Sequence, residues 1–272
     1  MMMINNQFKL IIVQALHLGG DVLLRYFGKV SNIKVKESLS SVVSEADVES
    51  EKVILDLIWQ EYPHHNIISE ECGYIFKNSQ YTWIVDPLDG TSNFIAGLPW
   101  FGILIALLED HVPIAAGAYL PVNQQLYYAE KGGKARLNGE IIQVINSTYL
   151  KDVLVAYSLD FHPDVSQTVA QTNMIAKLVQ NTRNIRSTNC LLDLLYTADG
   201  RLGAVINQYE KIWDITAPWL IIKEAGGMIT DLYGTEINFR VNKKDYNKDF
   251  PILAANPEIH KQIIQLIQEN DY

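Results

Sequence analysis

The stretch from Asp86 to Asp89 carries two carboxylates at a spacing that suits a bound cation. The apolar run Trp83-Ile84-Val85 before it predicts a strand covered on both faces, which Asp86 ends. Pro87 favours a tight turn, and a turn brings Asp86 and Asp89 to one side. Two carboxylates that close raise each other's pKa unless a cation lies between them. Mg²⁺ fits this role, because it prefers oxygen ligands and takes one or two carboxylates together with substrate phosphate oxygens.

The next residues, Gly90 to Asn93, are suited to binding an anion. Gly90 allows close backbone approach, and Thr91, Ser92 and Asn93 are each typical of a helix N-cap. A helix that begins there directs free N–H groups at an anion. Metal-binding acids and an anion-binding turn in one segment indicate phosphate chemistry.

These residues also have a simpler interpretation, because Asp-Pro and Asp-Gly pairs are common in surface turns. The complete string from Asp86 to Phe94 is far more specific, and it resembles the signature of the inositol monophosphatase family of Mg²⁺-dependent, lithium-sensitive phosphatases. Trp213-Asp214, followed by the run from Glu224 to Gly227, resembles the second signature of the same family. The resemblance extends over nearly the whole chain.

Glu70 and Glu71 follow a short apolar strand predicted at 66–69. Glutamate pairs are usually solvated, but this pair ends a buried strand, as Asp86 does. If the two strands are neighbours, either glutamate reaches the cation at Asp86. The family's Glu-Glu pair implies that Glu70 is the metal ligand and that Glu71 supports it.

Asp47 and Asp214 are both suited to the start of a helix, where an acid is favoured by the helix dipole. On residue type alone we expect Asp47 to be a first-turn acid and Asp214 to be an N-cap. The resemblance implies a chemical role for each, because the family keeps acids at both places. Pro218 replaces a common glycine of the family, a change that we expect the helix to tolerate.

The resemblance implies two Mg²⁺ ions, with a third left open. The first is held by Glu70, Asp86 and the backbone carbonyl of Leu88, and the second by Asp86, Asp89 and Asp214. Glu70 with Thr91, backed by Asp47, orients and deprotonates a water that attacks phosphorus directly. The residues implied to contact the substrate are Asp89, Gly90, Thr91, Ser92, Asn207 and Asp214.

Inositol monophosphate is the first substrate candidate, although several positions depart from the family's pattern. Asn207 stands where inositol-selective members carry an acid, and Thr188-Asn189-Cys190 replaces a run of small residues. Fructose 1,6-bisphosphate, a nucleotide 3′-phosphate and NADP therefore stay open as alternatives. Lys36 corresponds to a basic residue on a metal-associated loop, but Ser41 stands where many members carry Asp, which weakens the expectation of a third metal. A catalytically silent metal-binding or interaction protein is the alternative from another class.

Composition sets further bounds on function. The formal net charge of −9 disfavours a nucleic-acid polymer or an anionic membrane as partner. The two cysteines, Cys72 and Cys190, predict free thiols and a reducing compartment. We expect no membrane span and no signal peptide, and hence a cytoplasmic protein.

The order of elements predicts a mixed α and β protein. Short strands joined by turn signals between about 97 and 141 predict an antiparallel sheet, and strand–helix alternation after about 150 predicts an α/β half. The resemblance makes this fold more definite, implying an α-β-α-β-α layered sandwich of the inositol monophosphatase and fructose-1,6-bisphosphatase type, and a homodimer. We divide the chain into halves at 1–148 and 149–272, which form one catalytic unit.

Overall fold

The structure is a computed structural model that describes residues 6–29, 33–35 and 42–268. Lys36 and Ser41 lie outside the described residues, so the expectations for the metal-associated loop and the third metal are not tested. The helices are α1 Asn6–Tyr26, α2 Glu45–Glu61, α3 Thr91–Ile95, α4 Val165–Asn181, α5 Leu191–Ala198, α6 Ile212–Glu224 and α7 Pro257–Gln268.

The strands of the described residues form three sheets, and the smallest is a two-stranded pair. That pair is β1 Ile33–Val35 and β2 Val42–Ser44. The first large sheet contains β3 Asn66–Ser69, β4 Gly73–Ile75, β5 Tyr81–Asp89, β6 Gly102–Glu109, β7 Val112–Leu120, β8 Gln125–Glu130, β9 Arg136–Leu137 and β10 Glu140–Ile141. The second contains β11 Leu154–Tyr157, β12 Asn184–Arg186, β13 Ala204–Glu210, β14 Met228–Thr230 and β15 Phe250–Ala255.

Five layers follow from these elements. Helices α1 and α2 cover one face of the eight-stranded sheet, and α5 and α6 cover the other. The five-stranded sheet packs on the far side of α5 and α6, and α4 and α7 cover its outer face. The predicted α-β-α-β-α sandwich is confirmed.

The central strand β5 is buried on both faces, as its apolar run predicts. Trp83 and Val85 pack into the core formed with α1 and α2, whereas Ile84 between them packs into the core that contains α5 and α6. This alternation follows from the two-residue period of a strand. The strand is therefore held rigidly where it carries Asp86.

The middle core cluster joins the two predicted halves. It combines Leu104 and Ala118 of the first sheet with Val205 and Ile252 of the second, and Ile221 of α6 lies between them. This shared core supports treating 1–148 and 149–272 as one unit. The boundary itself stays a prediction.

Helix α1 is scaffold that also meets the length and composition of a membrane span. Among the described residues, Gln7–Tyr26 passes that test with mean hydropathy 1.3. The expectation of no membrane span stays a prediction. Half of that window is buried, and α1 packs on α2 and on the eight-stranded sheet. Such burial is typical of a core helix.

Candidate active site

A cavity of about 180 Å³ opens where β3, β5 and β13 end and α6 begins. Most of the predicted site residues lie together on its wall. The lining residues are Glu70, Asp86, Leu88, Asp89, Gly90, Thr91, Asp160, Asn189, Cys190, Asn207, Tyr209, Glu210 and Asp214.

A bulge in β5 brings Asp86 and Asp89 to the same side. Asp86 pairs with Leu104 and Asp89 with Gly102, so three steps along β5 oppose two along β6. In a regular strand residues three apart point to opposite faces, and the extra residue of a bulge corrects this. The prediction that Asp86 ends the strand is thus wrong, because β5 continues through Asp89.

Glu70 reaches the cavity because β3 lies parallel to β5. Ser69 pairs with Val85, and the backbone N–H of Glu70 donates to the carbonyl of Val85 at 3.3 Å. The next residue of each strand is therefore an acid at the same edge of the sheet. This arrangement confirms the expectation that the two strands are neighbours.

Each of the three aspartates is held by one backbone N–H. Leu88 N donates to Asp86 Oδ1 at 3.0 Å, and Leu191 N donates to Asp89 Oδ1 at 2.7 Å. Lys211 N donates to Asp214 Oδ2 at 2.6 Å. Each carboxylate is thereby oriented, and one oxygen from each lies within 4.8 Å of the others.

Asp214 is the third residue of α6 and not its N-cap. Lys211 is the N-cap, and the Asp214 carboxylate accepts from its backbone N–H, as an acid at N3 does in a capping box. The expected helix start is therefore three residues late. An N3 position directs the carboxylate back across the helix start, which is where the cavity lies.

The convergence of acids is electrostatically unfavourable without a cation. Burial, then Glu70 and the other aspartates, raise the pKa of Asp86 well above its ordinary value. Burial, followed by Asp214, does the same to Asp89, and burial raises the pKa of Asp214. These shifts have the sign expected where like charges share a desolvated site.

The residues fit bound divalent cations. These carboxylates offer only oxygen atoms as metal ligands, and hard divalent cations prefer oxygen ligands. The described lining contains six acids and no Lys or Arg, a set of side chains that suits bound divalent cations. The assignment of Glu70, Asp86, Leu88, Asp89 and Asp214 as ligands stays a proposal.

Thr91 and Asp47 form a polar pair beside the acids. Thr91 Oγ1 lies 3.1 Å from Asp47 Oδ1 and 3.0 Å from the carbonyl oxygen of Leu88. Asp47 is fully buried in the first turn of α2, where the helix dipole favours its charge. Because a hydroxyl has one hydrogen and two lone pairs, Thr91 can donate to Asp47 while it accepts from a water.

Asn207 contacts a further acid of the cavity, Glu210, which was not predicted from the sequence. The side-chain amide of Asn207 donates to Glu210 Oε1, and Asn207 Oδ1 accepts from Tyr209 N at 3.2 Å. A bulge in β13 against β15 lies between Asn207 and Glu210 and places both on one side. Burial, followed by Asp214 and Asp89, raises the pKa of Glu210 well above its ordinary value.

Of the two other residues predicted to contact the substrate, Gly90 lines the cavity and Ser92 does not. Ser92 is exposed on α3 and is not among the described residues that line the cavity. Gly90 lines the cavity and adopts φ +87°, which favours glycine. Cys72 and Cys190 are free, as predicted.

Replacing Gly90 by Ala is expected to destabilise the protein and distort the turn. An added Cβ would lie 2.5 Å from the backbone oxygen of Trp100. Gly97 is the matched control, because it has φ +77° and no atom within 4 Å of an added Cβ. We expect Gly97→Ala to cost about 1–2 kcal/mol from backbone strain alone, and Gly90→Ala to cost a further ~1–3 kcal/mol in urea unfolding. Equal losses would show that the turn has room to relax.

A larger cavity of about 440 Å³ lies elsewhere, between the 149–152 turn and α7. Its lining includes a single carboxylate, Asp152, together with Lys151 and several amides. One carboxylate beside an ammonium group gives no site for a divalent cation. The smaller, acid-lined cavity is therefore the candidate active site.

Comparison with known proteins agrees with this geometry. The sequence model of the inositol monophosphatase family matches residues 5–272. The chain belongs to the inositol monophosphatase family. Family membership accounts for the two signatures and for the five-layered fold.

Relatives of this family member carry more than one name. The chain is 33% identical over 265 residues to a protein of Xylella fastidiosa named Nus factor SuhB, covering 96% of this chain and 94% of that protein. It is 32% identical over 260 residues to the fructose-1,6-bisphosphatase/inositol-1-monophosphatase of Thermotoga maritima, covering 94% of each. The crystal structure of extragenic suppressor protein SuhB from Bartonella henselae superposes with a TM-score of 0.89 at 31% identity, covering 97% of this chain and 99% of that one.

Proposed function

We propose that this protein is a Mg²⁺-dependent phosphomonoesterase that hydrolyses a small sugar or polyol phosphate. Inositol monophosphate is the first substrate candidate. The observation that carries the proposal is the convergence of Asp86, Asp89 and Asp214 to within 4.8 Å, beside Glu70 and the Thr91–Asp47 pair. Bound Mg²⁺ would supply positive charge for the phosphate oxygens and for the attacking and leaving groups.

The side chains would orient the water and take its proton. Thr91 accepts a hydrogen bond from the water, and its own proton is directed at Asp47, 3.1 Å away. Glu70 lines the same cavity and would accept the proton of the water. The N–H groups of Gly90 and Thr91 would hold the phosphate while charge develops on it. Water attacks phosphorus directly, so no phospho-enzyme forms. The bond from phosphorus to the ester oxygen breaks, and the alcohol leaves after that oxygen takes a proton from solvent.

The charge of the cavity favours a substrate with one phosphate. Its described lining includes six acids and no Lys or Arg, so bound Mg²⁺ would neutralise one phosphate and leave a second facing carboxylates. Asp160 and Glu210 can instead accept hydrogen bonds from hydroxyl groups. This pattern supports a neutral polyol as leaving group over fructose 1,6-bisphosphate, a nucleotide 3′-phosphate or NADP.

A phosphate-release panel tests both the reaction and the preference. With Mg²⁺ present we expect kcat/KM for inositol monophosphate to exceed that for each of those three alternatives by about tenfold or more, since one repelled charge at close range costs over 1.4 kcal/mol. Omission of Mg²⁺ should abolish release, and added lithium should reduce it. Release from none of these compounds would refute the enzyme assignment.

The name of the Xylella relative, Nus factor SuhB, supports a second candidate. In this alternative the chain is a catalytically silent interaction protein on the same fold. Calorimetric Mg²⁺ binding without hydrolysis of any substrate in the panel would favour it. The net charge of −9 supports a role that involves no direct contact with a nucleic-acid polymer.

Two further parts of the proposal rest on the resemblance and on composition. We propose a homodimer and a cytoplasmic location. Sedimentation equilibrium of the purified protein tests the first, and cell fractionation tests the second.

A further inference from the structure

Glu51 of α2 is a buried acid that lies under the turn carrying Glu70. The residue is 7% exposed, and a single side-chain oxygen, Oε1, accepts three hydrogen bonds. One donor is the hydroxyl of Ser69. The others are the backbone N–H groups of Glu71 at 3.1 Å and Cys72 at 3.0 Å. The donors therefore bracket Glu70, with one before it and two after it.

The bracketed segment is the connection between β3 and β4. Ser69 pairs with Gly73, so residues 70–72 form the turn of this hairpin. The N–H of Glu70 donates to Val85 of β5, which leaves the next two N–H groups of the turn for Glu51. The backbone of Glu70 is thus fixed on one side by the sheet and on the other by a carboxylate of α2.

The same face of α2 holds the other half of the site. Asp47 precedes Glu51 by four residues, and residues four apart lie on one face of a helix. Asp47 contacts the hydroxyl of Thr91, and the hydroxyl of Ser50 donates to the carbonyl of Pro87 at 2.8 Å. One helix face therefore contacts both the turn with Glu70 and the segment from Asp86 to Thr91.

We propose that Glu51 is a positioning residue for metal binding: through Ser69 and the N–H groups of Glu71 and Cys72 it sets the position of the Glu70 carboxylate relative to Asp86. The inference rests on the proposed Mg²⁺ site. Glu51 therefore does more than accept hydrogen bonds from buried N–H groups of the hairpin turn, because that turn carries a proposed metal ligand. Partners that orient a ligand typically affect metal affinity by about 10–100-fold.

Two variants test this role. Glu51→Gln keeps the size of the side chain but replaces a carboxylate acceptor by a weaker amide oxygen, and Ser69→Ala removes one donor. Thr230→Val is the matched control. Thr230 is also buried and its hydroxyl hydrogen-bonds to His260, but neither residue lines the acid-lined cavity. For each protein, calorimetry gives the Kd of Mg²⁺ and thermal unfolding without metal gives the Tm.

We expect Glu51→Gln to weaken Mg²⁺ binding about tenfold and Ser69→Ala to weaken it by a smaller factor, with kcat largely restored at saturating Mg²⁺. Thr230→Val should lower Tm and leave the Kd of Mg²⁺ unchanged. If both site variants bind Mg²⁺ within twofold of the wild type, Glu51 is only structural and the inference is wrong, whatever happens to Tm. A wild-type protein that binds no Mg²⁺ would refute the proposed function as well, so the two failures are distinct.

Discussion

Replacing Asp89 by Asn is expected to lower kcat/KM at least about 1000-fold, equivalent to about 4 kcal/mol of lost transition-state stabilisation. Asp89 is buried, and one of its oxygens lies within 4.8 Å of oxygens of Asp86 and Asp214. The amide oxygen of Asn can still accept the hydrogen bond from Leu191 N, so the first residue of α5 keeps its contact with residue 89. The variant therefore removes a negative charge from the metal site while it preserves the local structure.

The matched control is Asp152→Asn, which makes the same substitution at an exposed position outside the acid-lined cavity. Its kcat/KM should stay within about twofold of the wild type, because surface substitutions have small effects. Activity of Asp89→Asn within tenfold of the wild type would contradict the assignment of Asp89 as a ligand.

Metal removal is expected to make stability depend on pH with an unusual sign for carboxylates. Burial raises the folded-state pKa of Asp86, Asp89 and Asp214 above the ordinary value of 3.8, and repulsion from neighbouring acids adds to the rise for Asp86 and Asp89. The folded state then binds more protons than the unfolded state, so the free energy of unfolding falls as pH rises from about 4 through the raised values. Metal-free protein should therefore lose stability from these groups as pH rises above about 4.

Mg²⁺ should reverse this loss, because a cation stabilises the charged carboxylates of the folded state. At a free concentration of about 100 times Kd, bound Mg²⁺ should add about 2.7 kcal/mol per site. Chemical unfolding at several pH values, with EDTA and with Mg²⁺, measures both effects. Subtracting the free energy of unfolding of Asp89→Asn from that of the wild type at each pH removes the titration of other groups. If the metal-free wild type becomes more stable relative to the variant as pH rises towards neutrality, the predicted sign is wrong.

The sequence predicted the identity of the site residues better than the way in which the backbone brings them together. Asp86, Asp89 and Thr91 stand in one continuous string, and that string is recognisable without any tertiary information. Asp47 and Glu70 required the resemblance, because an acid in a first helical turn or after a strand is common in any protein. The helix and strand types were largely predicted, since burial on two faces and helical spacing are properties of short segments.

The features that could not be predicted from the sequence depend on contacts between residues far apart in the chain. The bulge in β5 depends on its register with β6, and without it Asp86 and Asp89 would point to opposite faces. A second bulge, in β13, brings Glu210 towards Asp214, and this acid was missed because nothing near it in the chain indicates an extra residue. Glu51 was missed for a related reason, since its three donors lie 18 to 21 residues away.

Metal binding at the four acids is tested most directly by anomalous diffraction from crystals soaked in Mn²⁺ as a stand-in for Mg²⁺. We predict two peaks about 3.5–4 Å apart. One should be bound by Glu70, Asp86 and the carbonyl oxygen of Leu88, and the other by Asp86, Asp89 and Asp214. Peaks absent from this cavity, or carboxylates that turn away from a common centre at saturating metal, would contradict the account.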